Sequence, residues 1–166
     1  EDDGRTVVIR PGIKRGANRR KRGEDIAAGT VVLHAGQRLR PPDLGQAAAS
    51  GRRSLVVRQP LRVALFSTGD ELREPGEPLG PGQIYDSNRF GIAGLLRGLG
   101  CRVTDLGILA DNRAVIQGAL GEAAKSHDLI VTSGGVSVGE EDHVKQAVEA
   151  LGALHAWRLA IKPGRP

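Results

Sequence analysis

Beyond Pro60 the chain alternates short runs of branched apolar residues with longer segments whose apolar positions recur every three or four residues. "RVALFS", Arg62 to Ser67, is a continuous apolar run bounded by turn residues, which predicts a buried strand. In "SNRFGIAGLLRGLG", Phe90, Ala93, Leu95, Leu96 and Leu99 fall close to helical spacing, with Ser87 or Asp86 placed to cap the start and Gly100 to stop it. The same reading gives a strand in "RVTDLGIL", a helix in "NRAVIQGALGEAAKS", a strand in "DLIVTS", a helix in "DHVKQAVEALG" and a last strand in "ALHAWRLAI". Strands separated by helices of this length call for right-handed crossovers. The expected fold class is therefore α/β, a mostly parallel sheet with helices on both faces in three layers, α/β/α. Ahead of Pro60 the rhythm differs: "TVVIRPG", "AGTVVLHAGQRL" and "SLVVR" are β-branched runs between Gly and Pro, and "PPDLGQAAAS" fits a short helix after its prolines. Residues 1–60 thus read as a small β-rich segment, and residues 61–166 as the α/β domain.

Composition narrows the functional classes. The 166 residues suffice for one domain with a core, or one domain and part of another, and 39% hydrophobic content is that of a globular chain. Aromatics make up only 2%, so the core must be built from Val, Leu, Ile and Ala, and stacking of nucleic-acid bases has few rings to use. Cys101 is the single cysteine, which excludes an internal disulfide framework and a cysteine-rich metal site. No apolar run approaches the roughly 18 residues of a membrane helix, and "EDDG" is no signal core; a soluble, cytoplasmic protein is expected, without a membrane partner. The net charge of +5 is unevenly spread: residues 1–60 hold 13 Lys/Arg against 6 Asp/Glu, residues 61–166 hold 11 against 13. The basic run "KRGANRRKRGED" concentrates anions; a solvated face is the first reading, a phosphate-rich small ligand the second and nucleic acid the last.

In parallel sheets ligands bind beyond the C-terminal strand ends, so the informative loops are "STGDE", "LADN", "TSGGVSVGEED" and "IKPGRP". Gly134, Gly135 and Gly139 leave the backbone bare, and with Ser133 and Ser137 they could cradle a phosphate; an ordinary strand-to-helix turn explains them equally well. Glu140, Glu141 and Asp142 change the weighting, because three acids beside a phosphate would repel it unless a hard cation such as Mg2+ stood between. One of them is equally suited to a helix start. Gly69 turns the chain at "STGDE", where Asp70 and Glu71 could join the metal or orient a water. Asp111 has two readings, a site carboxylate or the cap of the helix near Arg113; Asp86 reads more readily as a cap than as a ligand. Arg158 and Lys162, four apart in an extended segment, point to one face and suit an oxyanion, or are solvated edge charges. No histidine pair has zinc spacing, and no Ser-His-Asp or Cys-His set can be argued.

Taken in order, "RRKRGEDIAAGTVVLHAGQRL", "RVALFSTGDEL", "GQIYDSNRF", "LGILADN", "DLIVTSGGVSVGEEDHVK" and "WRLAIKPGRP" resemble the MoeA family, the molybdopterin molybdenumtransferases, to which the gephyrin E domain is related. Single motifs are shared with MogA- and CinA-like proteins; the ordered set, with "RRKRGEDI" ahead of the sheet domain, points to MoeA. The resemblance implies the final step of molybdenum cofactor synthesis, in which molybdate enters adenylylated molybdopterin with Mg2+ present and AMP is released. Carried over by motif, it makes Asp25, Glu71, Asp111 and Asp142 the functional acids, with Glu71 and Asp142 toward the metal, and Arg158 and Lys162 the cations near molybdate. Where the family commonly has Lys, position 158 is Arg. The Gly134–Gly139 loop corresponds to the pterin and phosphate cradle, through Ser133, Gly134, Gly135, Ser137 and Gly139. Family members are longer and homodimeric, so residues 1–60 are expected to be parts of neighbouring domains, the sheet domain to be incomplete at its C-terminal end, and these 166 residues alone to have little or no activity. Alternatives are a MogA-like molybdopterin adenylyltransferase and a non-catalytic molybdopterin-binding scaffold.

Overall fold

A computed structural model describes residues 4–6, 11–12, 14–135 and 143–156. The chain divides into two compact units, Glu1–Val57 and Arg58–Pro166. In the first, the one helix among the described residues is α1 (Pro41–Ala49). Its prolines sit where a helix has no use for an N–H. Asp43 accepts from the Arg40 backbone N–H at 2.8 Å, the Arg40 Nε at 3.2 Å and the Gln37 amide at 3.1 Å. The Arg40 guanidinium holds the Asp43 carboxyl below its ordinary range.

The strands expected in "TVVL" and "SLVVR" do not form, and Val7–Arg10 of "TVVIRPG" lie outside the described residues. Hydrogen-bonded turns close at Ala27–Thr30 and His34–Gln37, leaving only three residues between them. Val31, Val56 and Val57 are exposed and have no ladder partner among the described residues. β-branched residues favour a pleated surface only when a neighbouring strand supplies one.

The second unit is the expected α/β domain. Its elements run β1 (Arg62–Thr68), β2 (Leu72–Arg73), β3 (Ile84–Tyr85), α2 (Asn88–Gly98), β4 (Arg102–Leu109), α3 (Arg113–Ser126), β5 (Leu129–Ser133) and α4 (His143–Leu151). β4, β1 and β5 form a parallel sheet in that order, and helices on its faces complete a three-layer α/β/α arrangement. β1 is central and buried from Val63 to Thr68. On one face Phe66 packs with Ile116, Leu120, Val144 and Ala147 of α3 and α4, joined by Leu106, Leu109 and Ile130. The β1–β4 register slips between Leu65 and Ser67, where Gly107 adopts φ +77° and its N–H donates to Asp105 at 2.9 Å. Ala153–Ala156, the start of the expected last strand, have no regular structure, and the remainder of that run lies outside the described residues.

α2 corrects the expected core stripe. Phe90, Leu95 and Leu99 are 51%, 72% and 62% exposed, while the buried positions are Arg89 and Ala93. Arg89 decides the helix rotation: its side chain is 4% exposed and binds Asp86 at 2.8 Å, Asp105 at 2.5 Å and Glu74. Burial opposes the guanidinium charge, but the three carboxylates outweigh it and raise the Arg89 pKa. Burial likewise pushes the Asp105 carboxyl up, and Arg89 reverses this so that it titrates below its ordinary range. Phe90 lies beneath the guanidinium, 4.9 Å from carbon to ring centre. Asp86 also accepts from the Arg89 N–H at 3.2 Å, the capping role expected of it. At the other end Gly100, φ +88°, lets its own N–H and that of Cys101 reach the carbonyls of Arg97 and Leu96.

β1 and β5 are pinned at their starts by a forked pair, Arg62 Nη2 to Asp128 Oδ1 at 2.7 Å and Nε to Oδ2 at 3.1 Å. Arg62 holds the Asp128 carboxyl down from 3.8 to about 2. A depressed carboxyl stabilises the fold above its unfolded pKa, and that contribution is lost as pH falls through the folded value. Asp128→Asn is therefore expected to lower Tm at pH 7, with the difference from the parent closing between about pH 4 and pH 2 in a thermal-melt series.

Candidate functional site

The C-terminal ends of the three sheet strands converge. β1 ends at Thr68, and Gly69 turns the chain with φ +152°, closed by the Leu72 N–H on the Gly69 carbonyl at 3.1 Å. The Glu71 carboxylate folds back over this glycine: a Cβ at residue 69 would lie 2.7 Å from Oε2 and 2.8 Å from Oε1. β2 and β3 follow, joined by the Ile84 N–H on the Glu71 carbonyl at 2.8 Å and the Asp86 N–H on the Arg73 carbonyl at 3.0 Å.

Beyond β4, Asn112 caps α3, accepting from the N–H groups of Ala114 at 2.9 Å and Val115 at 3.3 Å. This leaves Asp111 free of the cap, and its Oδ1 accepts from the Thr68 hydroxyl at 3.4 Å. Asp and Asn cap helices about equally well, and Asn112, one residue nearer the helix, takes the cap that is one of the two readings of Asp111. At the end of β5, Ser133 lies in register with Ser67 of β1, and Gly134 and Gly135 follow with φ +90° and +66°. A Cβ on Gly134 would lie 2.1 Å from the Thr68 carbonyl oxygen; one on Gly135 would lie 2.7 Å from Thr68 Cγ2 and 2.5 Å from Val144 Cγ2. The bare loop therefore rests directly on the end of β1, a contact only glycine allows.

The structure thus gathers Glu71, Asp111, Ser133, Gly134 and Gly135 at one rim around Thr68. Thr68 is a site residue that the motifs gave no means of singling out from "STGDE". Beside it opens a cavity of about 500 Å³ lined in part by Gly69, Asp70, Glu74, Ile108, Leu109 and Ala110. The side chains of Asp70 and Glu71 have no ion-pair or hydrogen-bond partner among the described residues, in contrast to Glu74 on Arg89. Carboxylates left without an internal cation are hard oxygen donors available to an external one. No cluster of three candidate ligands occurs among the described residues, but Mg2+ commonly takes one or two carboxylates and completes its shell with water and phosphate. The donor set present fits that use.

Residues 64–166 match the family model described as "Probable molybdopterin binding domain", and residues 1–51 match the "MoeA N-terminal region (domain I and II)". The chain belongs to the MoeA family. It is 46% identical, over 99% of its length, to molybdopterin molybdenumtransferase of Haemophilus influenzae, and 42% identical, over 97%, to molybdopterin molybdenumtransferase 2 of Mycobacterium tuberculosis. In both cases the match covers 41% of the relative. This MoeA-family chain thus spans about two fifths of the length of the curated relatives it matches. The crystal structure of the molybdopterin biosynthesis MoeA protein from Pyrococcus horikosii superposes with a TM-score of 0.66 at 32% identity, covering 78% of this chain and 32% of that one.

Of the other MoeA-motif residues, Asp25 lies in the first unit, exposed and paired with Arg20 Nη1 at 3.1 Å. Ser137, Gly139, Asp142, Arg158 and Lys162 lie outside the described residues. No helix among the described residues is long and apolar enough to cross a membrane.

Proposed function

We propose that this chain is the molybdopterin-handling part of a molybdenumtransferase that inserts molybdate into adenylylated molybdopterin, releases AMP and depends on Mg2+. The observation that carries the reading is the meeting, at one strand end, of a side-chain-free loop with carboxylates that have no counter-ion among the described residues. The names of the Haemophilus and Mycobacterium relatives support the reaction class. The match of residues 1–51 to the MoeA N-terminal region favours it over a stand-alone adenylyltransferase.

In this reading Ser133, Gly134 and Gly135, continued by Ser137 and Gly139, admit the phosphate-bearing pterin. Glu71, Asp111 and Asp142 are the acids that would hold Mg2+, with the Thr68 hydroxyl fixing the Asp111 carboxylate. Bound there, Mg2+ would offset the phosphate charge that these acids otherwise repel. Arg158 and Lys162 are assigned to molybdate, an oxyanion, and Asp25 keeps the functional-acid role that its motif gives it. Little or no turnover is expected from these 166 residues alone, and the substrates are small molecules rather than nucleic acid or membrane.

Calorimetry with adenylylated molybdopterin, with Mg2+ and with EDTA, tests the proposal. Binding is expected to require Mg2+ and to weaken about tenfold or more in Glu71→Gln and Asp111→Asn, with both variants folded. Binding that is unchanged by EDTA or by both substitutions would remove the metal-bridged site.

A further inference from the structure

We propose that Arg89 is a positioning residue for the acidic rim, acting through Glu74 on the segment that carries Asp70 and Glu71. The proposal rests on the reading of that rim as a Mg2+ and phosphate site.

The guanidinium draws together three parts of the second unit: Asp86 follows β3, Asp105 belongs to β4, and Glu74 follows β2. The Asp105 contact secures the helix to the main sheet, and the Asp86 contact is local, closing the helix start on the residue that follows β3. The third does something different, because Glu74 is 41% exposed and lies three residues beyond Glu71. β2 and β3 are two residues each and form a two-stranded ladder of their own, separate from the main sheet. So small a ladder has marginal stability by itself. Its other side-chain bonds are internal: Arg73 Nη1 donates to the Leu72 carbonyl at 2.8 Å, Tyr85 Oη donates to the Glu77 carbonyl at 2.9 Å, and Gln83 Oε1 accepts from the Gly80 N–H at 2.9 Å. Among the described residues, Glu74 on Arg89 is the one side-chain hydrogen bond or ion pair that ties residues 69–85 to the helices and the main sheet, and the same guanidinium holds Asp86, whose N–H closes the ladder on the Arg73 carbonyl.

Buried ion pairs contribute little net stability compared with apolar packing. An apolar residue at position 89 could fill the same space, yet it could not reach out to Glu74. The cost of burying a guanidinium is thus matched to a task that only a multidentate cation performs, holding the short ladder at a fixed setting against the strand ends. Glu71 lies one residue before β2, so the setting of the ladder fixes where its carboxylate stands relative to Gly69 and Thr68.

The experiment compares Glu74→Ala, Glu74→Gln and Glu77→Ala with the parent chain, by amide hydrogen exchange and by Mg2+-dependent binding of adenylylated molybdopterin. Glu74→Ala is expected to raise exchange at the Ile84 and Asp86 amides about tenfold, leave β1 and β5 unchanged and weaken the Mg2+-dependent affinity several-fold. Glu74→Gln, which still accepts from Arg89, should recover much of both effects, and Glu77→Ala should reproduce neither. Unchanged exchange in Glu74→Ala overturns the tether, and raised exchange with unchanged affinity overturns the positioning role. An equal loss in Glu77→Ala would make local charge the cause and also overturn it. Failure of the parent to bind removes the reading of the rim itself, which separates that failure from failure of the tether.

Discussion

Gly134→Ala is expected to destabilise the second unit by about 2–5 kcal/mol and to abolish ligand binding at the strand ends. Two independent penalties act on the same methyl group. The backbone at φ +90° is a conformation that residues with a Cβ adopt only under strain. The Cβ would also stand 2.1 Å from the Thr68 carbonyl oxygen, a backbone atom fixed within the central strand that cannot rotate away as a side chain would. Relief requires the β5 loop to lift from β1, which separates Ser133 and Gly134 from the Thr68–Asp111 pair. Chemical denaturation measures the stability term. Gly121→Ala is the control: this α3 glycine has open space around its missing Cβ, and the substitution should stabilise by about 0.5–1 kcal/mol.

Arg89→Leu should destabilise by a comparable amount, about 3–5 kcal/mol, for an electrostatic reason. It leaves Asp86, Asp105 and Glu74 facing one another without a cation, and Asp86 is 2% exposed, too buried for bulk solvent to take the place of the lost partner. The loss is predicted to depend on pH. In the parent, Asp105 titrates below its ordinary range, so its contribution is complete at neutral pH and lost as the solution is acidified through that depressed value. In the variant the unpaired carboxylates take up protons readily, which relieves their repulsion. The stability gap should therefore be widest near pH 7 and shrink toward pH 3, measured by denaturant titration at each pH; a gap constant across that range would refute the electrostatic account.

The sheet domain was readable because its strands are apolar runs and its helices carry periodic faces ended by Gly or begun by Asx residues. Periodicity failed at α2, where the deciding residue is charged. A hydrophobic pattern ranks Phe90, Leu95 and Leu99 above Arg89, and only the three carboxylates, two of them remote in sequence, make Arg89 the buried one. It failed again before residue 60, where "TVVL" and "SLVV" have strand propensity and turns but no neighbouring strand among the described residues. At the rim, residue types in the loops indicated a bare cradle and acids, yet spacing left Asp111 between a site role and the helix cap, did not point to Asn112 as the cap, and could not reveal that Thr68 joins β1 to both Asp111 and Gly134.

The slipped register at Gly107 governs the sidedness of everything downstream in β4. Leu106 and Leu109 are three residues apart yet both reach the Phe66 cluster, which an unbroken pleat would forbid. One looped-out residue has inverted the parity of the strand, so Leu109 pairs with Thr68 and the chain leaves the sheet with Asp111 beside that threonine. A regular pleat that retained Gly107 would bring Ile108 opposite Thr68, turn Leu109 and the outgoing segment to the other face and send Asp111 away from its partner, while leaving every residue type in the loop intact. The place of Asp111 is consequently set by how the residues of β4 are counted off against β1, and not by the composition of its loop alone.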